Sequence, residues 1–122
     1  HLYSFSDLEF YPVTCDVLLR GLDGIVWVID SRLEQLGENI QAYRSYQELL
    51  ARHGVEQSQL TQILQYNQRD AKNMLSPETL RMHFNPKFFA ETKAIATRSE
   101  GTMNTLKVIC RKIILRLIPA GV

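Results

Sequence analysis

The stretch Gly24-Ile25-Val26-Trp27-Val28-Ile29-Asp30 is a continuous run of β-branched and aromatic residues between a glycine and an aspartate. A half-exposed strand would alternate apolar with polar residues, whereas an uninterrupted run is typical of a strand covered on both faces. Strands of that kind occur mainly in parallel sheets whose faces are covered by helices. The run therefore predicts a central strand of a parallel sheet.

The residues after this strand predict a long helix over roughly residues 31 to 53. Ser31 and Glu34 have the spacing of a capping box at its start, and Gly54 has the position of a glycine that closes a helix. Apolar residues recur between these ends at steps of three and four. The apolar face consists of Leu33, Leu36, Ile40, Tyr43 and Leu50.

A second strand and a second helix follow. Residues 62–66 form another segment rich in apolar side chains, which ends at Asn67. Ser76 then has the position of a helix cap, with Pro77 in the first helical position. This helix should stop before Pro86, because the residue that precedes a proline is disfavoured in the helical conformation.

The remaining segments continue the alternation of strands and helices. Residues 93–97 predict a third strand, residues 1–4 the end of an earlier strand, and residues 11–20 a helix. A closing helix has an apolar face formed by Met103, Leu106, Ile109, Cys110, Ile113, Ile114 and Leu117. Alternation of this kind predicts an α/β fold in which helices flank a mostly parallel sheet.

Length and composition point to a single domain. The 122 residues suffice for one core, and no repeat or linker divides the chain, so residues 1–122 are expected to form one unit. A net charge of +1 gives no reason to invoke nucleic acid. No apolar run is long enough to cross a membrane, and no pair of histidines or cysteines has the spacing of a zinc site. We expect a cytoplasmic protein with reduced cysteines.

The tetrapeptide Asn67-Gln68-Arg69-Asp70 lies directly after the second predicted strand. Open α/β sheets bind ligands at the carboxyl ends of their strands, so this is a position where a binding loop is expected. A rigidly held Asp70 carboxylate could accept two parallel N–H bonds from the edge of guanine, which offers a ring N–H and an exocyclic amine. Asn and Asp are also common turn residues, so a simple turn after the strand is the competing interpretation.

These residues resemble a known family. The tetrapeptide is close to the Asn-Lys-x-Asp signature of small GTP-binding proteins, with Gln68 in the place of the lysine. The longer run of residues 65–73, together with residues 19–26 and 94–101, is similar to the MglA family of bacterial gliding-motility GTPases. The resemblance covers nearly the whole chain and corresponds to the part of the family that follows the phosphate-binding half. It implies a three-layer, Ras-like α/β fold without its first strands and phosphate loop.

The resemblance also implies a guanine-binding site. Asp70 would bind the base edge, Asn67 would hold the loop, and Gln68 would cover the ring. The stretch Ile95-Ala96-Thr97 occupies the place of a second family element, in which the backbone N–H of Ala96 would donate to the base oxygen, with Thr97 beside it. Gln68 departs from the family pattern, because its stem is shorter than that of lysine and carries no charge.

Phosphate binding has no counterpart in these residues. A triphosphate site needs the pattern G-x-x-x-x-G-K-[ST], and none of the six glycines precedes a lysine. Residues 4–10 lie where the family has its second switch, and Asp7 there would repel a phosphate. We therefore expect no catalysis from these 122 residues alone, and GTP or GDP with magnesium only if an upstream segment supplies the phosphate site.

Three functional hypotheses follow. The first is the nucleotide-binding part of an MglA-like GTPase, a molecular switch in bacterial polarity or surface motility, for which the family implies a Roadblock-type regulator and recruitment to the inner face of the membrane by partners. The second is a degenerate pseudo-GTPase that serves as an interaction or scaffold subunit, with Leu8, Phe10 and Tyr11 as a candidate partner surface. The third is an unrelated α/β adaptor domain in which the Asn-x-x-Asp pattern is coincidental.

Overall fold

The computed structural model describes residues 19, 21–95 and 100–117, with side chains up to residue 115. Several predictions concern residues outside these ranges. They are the early strand at residues 1–4, most of the helix at residues 11–20, the partner surface at residues 8–11, and the two predicted base contacts Ala96 and Thr97.

The described residues form a sheet of three parallel strands in the order β1-β2-β3. The strands are β1 (Gly24–Asp30), β2 (Thr61–Asn67) and β3 (Ala90–Lys93). β1 runs beside β2 from Gly24 opposite Thr61 to Asp30 opposite Asn67. β2, rather than β1, is central within this sheet, and all its residues except Asn67 are buried. The predicted α/β fold with a parallel sheet and flanking helices is confirmed.

The first long helix, α1 (Leu36–Arg52), follows a short 3-10 turn at Leu33–Gln35. The predicted capping box is wrong, because no side chain caps either segment and Ser31 is fully buried. Ser31 instead uses its backbone to join two loops: its N–H donates to Asn67 O at 3.0 Å and its carbonyl accepts from Leu75 N at 2.7 Å. These contacts hold Ser31 inside the protein, so the helix begins several residues later than predicted.

The second helix, α2 (Pro77–Phe84), forms as its sequence predicts. The Ser76 hydroxyl accepts a hydrogen bond from the Thr79 backbone N–H at 3.2 Å, and Pro77 is the first helical residue. The helix ends before Pro86, and the Asn85 N–H closes its last turn by donating to Arg81 O. None of the described helices is long and apolar enough to cross a membrane.

The third strand lies earlier than predicted, at residues 90–93 instead of 93–97. Only one further sheet bond follows it, from Ala94 N to Tyr66 O at 2.9 Å, and Ile95 then pairs in the opposite direction with Glu100. Strand preference depends on context, and here side-chain contacts decide the register. Glu91 bonds to Tyr66 and Thr92 to Thr105, which fixes residues 90–93 against β2 and the last helix.

The closing helix, α3 (Thr102–Leu117), presents only part of the predicted apolar face to the sheet. Thr105 and Ile109 are buried and Ile113 is half-buried, whereas four residues of the predicted apolar face are exposed: Met103, Leu106, Cys110 and Ile114. The hydroxyls of Thr92 and Thr105 lie 2.6 Å apart in the interior, and Thr105 also donates to Gly101 O at 3.0 Å. These polar contacts fix the rotation of the helix.

Helices pack on both faces of the sheet, which gives three layers, and Val28 of β1 is 59% exposed. Alternate side chains of a strand point to opposite faces. One face packs on α1 and α2 through a cluster of Trp27, Ile29, Leu49, Leu50, Leu64, Tyr66, Leu80 and Phe84. The other face packs on α3, whose Ile109 and Ile113 approach so closely that a β-carbon at Gly24 would lie 3.1 and 2.9 Å from their Cδ1 atoms.

Candidate functional site

The carboxyl ends of the three strands meet at one edge of the sheet. Asp30 is opposite Asn67 in the register of β1 and β2, and Lys93 is opposite Tyr66 in that of β2 and β3. The predicted tetrapeptide of residues 67–70 therefore leaves the middle of the sheet at this edge. Open parallel sheets bind their ligands at this edge.

The chain makes a tight turn directly after β2. Gln68 has a φ of 59°, in the left-handed region, and the Ala71 N–H donates to Gln68 O at 3.1 Å. Such a conformation is uncommon for a residue other than glycine, and at a strand end it is frequently associated with function. Gln68 and Arg69 are half-buried, while Asp70 is exposed. The Asp70 carboxylate thus lies at the surface of this edge.

The turn is also tied to the loop that follows β1. The Arg69 guanidinium donates to Leu75 O at 2.7 Å, and the Leu75 N–H donates to Ser31 O at the same distance. Arg32 and Met74 form an isolated antiparallel bridge beside these bonds. The loop of residues 68–75 is therefore fixed at several points. Because it is already ordered, the entropy cost of ordering it when a ligand binds is small.

A charged pair lies next to the turn. The Arg32 side chain binds both carboxylate oxygens of Asp30, with Nη2 2.6 Å from Oδ2 and Nε 3.0 Å from Oδ1. Burial is the largest single influence on the pKa of Asp30 and opposes its ionisation, but the hydrogen bonds from Arg32 and its positive charge together outweigh burial and lower the pKa. This carboxylate is engaged by Arg32. Asp30 and Arg32 were not predicted as a pair, although an arginine two residues after an aspartate that ends a strand is a signal for one.

The second predicted loop begins beside the first. The Arg69 N–H donates to Ala94 O at 3.3 Å, which joins the turn after β2 to the end of β3. Ile95 and Glu100 bridge the base of the second loop. Gly101 closes it with a φ of 78°, and a β-carbon there would lie 2.1 Å from Lys93 O. Ala96 and Thr97 lie outside the described residues, so their part in a base site stays a prediction.

The structure therefore brings together Asn67, Gln68 and Asp70 with the start of the segment that contains Ala96. The donor and acceptor set suits a base edge, since it combines a surface carboxylate with side-chain amides. No group of three or more histidine, cysteine, aspartate or glutamate side chains with metal-binding geometry occurs in the described part of the chain.

Two open cavities lie elsewhere, at the opposite edge where the strands begin. One has a volume of about 270 Å³ and is lined in part by Tyr43, Gln62 and Phe84. The other, of about 420 Å³, is lined in part by Thr61 and Leu115. Neither is lined by Asn67, Gln68 or Asp70. The cavities and the predicted base-binding loops are therefore separate features of the molecule.

Comparison with known proteins identifies a relative of this chain. No family model matches the chain. The mutual gliding-motility protein MglA of Myxococcus xanthus is 30% identical to it over 121 residues, which is 99% of this chain and 62% of MglA. The chain therefore spans less than two thirds of the relative that it matches, and the resemblance expected from the sequence is confirmed over that part. The chain is homologous to part of the mutual gliding-motility protein MglA.

Proposed function

We propose that this chain forms the guanine-binding part of an MglA-like small GTPase that acts as a molecular switch in bacterial polarity or surface motility. The observation that carries the proposal is the hydrogen bond from Arg69 N to Ala94 O, which holds the turn of residues 67–70 beside the segment leading to Ala96. Two loops distant in sequence must converge in this way to surround a flat base. The homology to MglA supports the same assignment.

Each proposed contact has a chemical role. Asp70 accepts from the ring N–H and exocyclic amine of guanine, Asn67 holds the turn, and Gln68 lies over the ring. Ala96, with Thr97 beside it, donates a backbone N–H to the base oxygen. Adenine would leave these groups unpaired, and an unmet hydrogen bond in a site that excludes water costs about 1–3 kcal/mol. Phosphates and magnesium would be bound by residues other than those described.

Exchanging the base tests the proposal directly. Xanthine carries an oxygen in place of the exocyclic amine of guanine, so it requires a donor where guanine requires an acceptor. The Asp70→Asn variant of the complete gene product should lose affinity for GDP and gain affinity for xanthosine diphosphate, each by about tenfold or more. Isothermal titration calorimetry with GDP, ADP and xanthosine diphosphate measures both changes.

Asp23→Asn provides a matched control. Asp23 is also exposed, and it precedes β1 at the opposite edge of the sheet. This variant should bind all three nucleotides as the parent does. If Asp70→Asn leaves the nucleotide preference unchanged, the pattern Asn-x-x-Asp is only a turn and the third hypothesis, an unrelated adaptor domain, is preferred.

A pseudo-GTPase that serves as an interaction or scaffold subunit is the second candidate. Gln68 favours it, because a glutamine covers less of a purine than the longer lysine stem of the signature. Under this alternative the complete gene product binds no guanine nucleotide in the same titrations, and Gln68→Lys raises the affinity into the measurable range. Magnesium-dependent hydrolysis of GTP by the complete gene product would exclude it.

The cellular role rests on the same proposal. A Roadblock-type regulator is the partner that the resemblance implies, and partners would recruit the protein from the cytoplasm to the inner face of the membrane. The nucleotide state should control that association. Co-purification from the native host in the presence of GDP and of a non-hydrolysable GTP analogue tests it, and equal recovery of a regulator in both states would argue for the scaffold alternative.

A further inference from the structure

The two open cavities at the edge where the strands begin form one continuous surface, which we name the amino-edge grooves. Both cavities are lined by Gln62 and Phe89, and they lie on either side of the loop that joins α2 to β3. This surface is at the opposite end of the sheet from the turn of residues 67–70. An activity assigned to it is therefore independent of nucleotide binding.

Phe88 projects from this loop between the grooves. Its side chain is 80% exposed, and its φ of 56° lies in the left-handed region that bulky residues avoid. Such strain persists only where surrounding contacts determine the conformation, and it occurs preferentially at functional sites. An exposed aromatic ring on a strained backbone is a typical anchor for a protein partner.

The side chain of Asn85 supplies those contacts. Asn85 is 1% exposed; its Oδ1 accepts from Phe89 N at 2.7 Å and its Nδ2 donates to Phe89 O at 2.8 Å. Asn85 Nδ2 also donates to Glu91, and the Phe88 N–H donates to Asn85 O at 3.2 Å. Asn85 thus fixes the loop that carries Phe88. A partner that contacts Phe88 does not have to order a mobile segment, so this entropy cost of binding is avoided.

The charged side chains that line the grooves are all basic. The described residues that line them include four basic side chains and no carboxylate, and the basic residues are Arg44, His83, Lys87 and Lys112. All four are exposed, and none takes part in an ion pair with the described residues. Apolar and aromatic side chains also line the two grooves, among them Phe84 in one groove and Leu60 in the other. The surface therefore complements a ligand that combines negative charge with apolar side chains.

We propose that the amino-edge grooves bind an acidic segment of a partner protein that carries at least one large apolar anchor residue. The anchor enters the groove beside Phe88, and flanking carboxylates pair with Lys87 and Arg44. The grooves are concave and divided by a projecting ring, which suits side chains of a peptide better than the plane of a lipid bilayer. Neither contact involves the nucleotide-binding turn.

Selection from a library of random short peptides displayed on phage tests the proposal with the complete gene product as the target. Enriched peptides should be acidic and should carry an aromatic or aliphatic residue. A synthetic peptide of the enriched sequence should lose affinity by about thirty-fold for Phe88→Ala, the scale of an interface anchor. It should lose affinity several-fold for Lys87→Glu and bind more weakly as salt is raised.

Two control variants distinguish a loss of peptide binding at this surface from a general effect of substitution on the protein. Met82→Ala removes an equally exposed apolar side chain of α2 that lines neither groove, and Lys72→Glu reverses an exposed charge near the other edge of the sheet. Both should bind the selected peptide as the parent does. Circular dichroism of each variant checks that the fold is retained.

Several outcomes would overturn the proposal. They are failure to enrich any peptide, enrichment of peptides without acidic residues, and equal binding to Phe88→Ala and the parent. Sedimentation with vesicles that contain phosphatidylserine covers the alternative of a membrane, and binding lost in Lys87→Glu would assign the surface to lipid instead. Concentration-dependent dimerisation lost in Phe88→Ala would assign it to a second copy of the chain.

Discussion

Glu91 connects β3 to the core through a buried group of hydrogen bonds, and its removal should destabilise the protein strongly. Its carboxylate accepts from the Tyr66 hydroxyl at 2.7 Å, from Asn85 Nδ2 at 2.8 Å and from Arg81 Nη2 at 2.7 Å. Tyr66 is fully buried, whereas 39% of the Arg81 side chain is exposed. The Glu91→Ala substitution therefore affects these partners unequally.

The magnitude follows from what each partner loses. The Tyr66 hydroxyl becomes a buried group without a partner, which costs about 1–3 kcal/mol. Arg81 is released to solvent, where water hydrates its guanidinium, so the lost ion pair adds little. Asn85 keeps its bonds to Phe89 and loses little. Glu91→Ala should thus lower the free energy of unfolding by about 3 kcal/mol.

Urea denaturation of the complete gene product, followed by circular dichroism, measures the effect. A double-mutant cycle with Tyr66→Phe isolates this bond. Tyr66→Phe should cost about 1 kcal/mol in the parent, whereas in the Glu91→Ala background it removes the unpaired hydroxyl and should stabilise the protein by about 1–3 kcal/mol. Glu48→Ala, at an exposed position of α1, should change stability by at most about 0.5 kcal/mol. Equal costs of Tyr66→Phe in both backgrounds would refute the reasoning.

The same carboxylate makes stability depend on pH. Burial is the largest single influence on its pKa and opposes ionisation, but the hydrogen bonds from Arg81, Asn85 and Tyr66, with the positive charge of Arg81, together outweigh burial and hold the pKa of Glu91 below its ordinary value of 4.5. A depressed pKa in the folded protein means that the stabilisation is complete above the unfolded pKa and is lost as pH falls through the folded one. The stability difference between the parent and Glu91→Gln should therefore be constant near neutral pH and shrink below 4.5.

Three further substitutions have defined outcomes. Gln68→Gly relieves a left-handed backbone and should raise the free energy of unfolding by up to about 1 kcal/mol while weakening GDP binding, as measured by thermal unfolding and calorimetry. Gly101→Ala places a β-carbon 2.1 Å from Lys93 O, so it should cost about 3 kcal/mol or more, and an unchanged melting temperature would contradict this contact. Ser76→Ala removes the acceptor of the Thr79 N–H and should cost about 1 kcal/mol in urea denaturation, against a few tenths for Ser76→Gly.

The sequence predicted those elements whose signals are local. The uninterrupted apolar run of β1 and the Ser76-Pro77 start of α2 gave the correct types and bounds. Long-range polar contacts explain the failures. Ser31 is drawn inside by backbone bonds to Asn67 and Leu75, and the face of α3 is set by the buried bond between Thr92 and Thr105. Apolar periodicity carries no information about a buried polar pair.

For the candidate site too, local features were predicted from the sequence and long-range contacts were not. The motif located Asn67 and Asp70 at the end of a strand, because the apolar segment and the polar tetrapeptide adjoin in sequence. The link from Arg69 to Ala94 depends on the register of β2 and β3, which the sequence placed three residues too late. Phe88 is an aromatic residue that the sequence favours as part of the core or of local packing, and neither its exposure nor its backbone conformation follows from the residue types around it.

The order of the strands has a consequence for synthesis on the ribosome. Each strand of the described sheet lies beside the one that precedes it in sequence, so every crossover joins immediate neighbours. Pairing with the strand next in sequence keeps the separation between contacting strands as short as a parallel crossover allows, and a lower contact order favours faster folding. Translation can therefore add β2 to β1 and then β3 to β2 in the order in which they leave the exit tunnel.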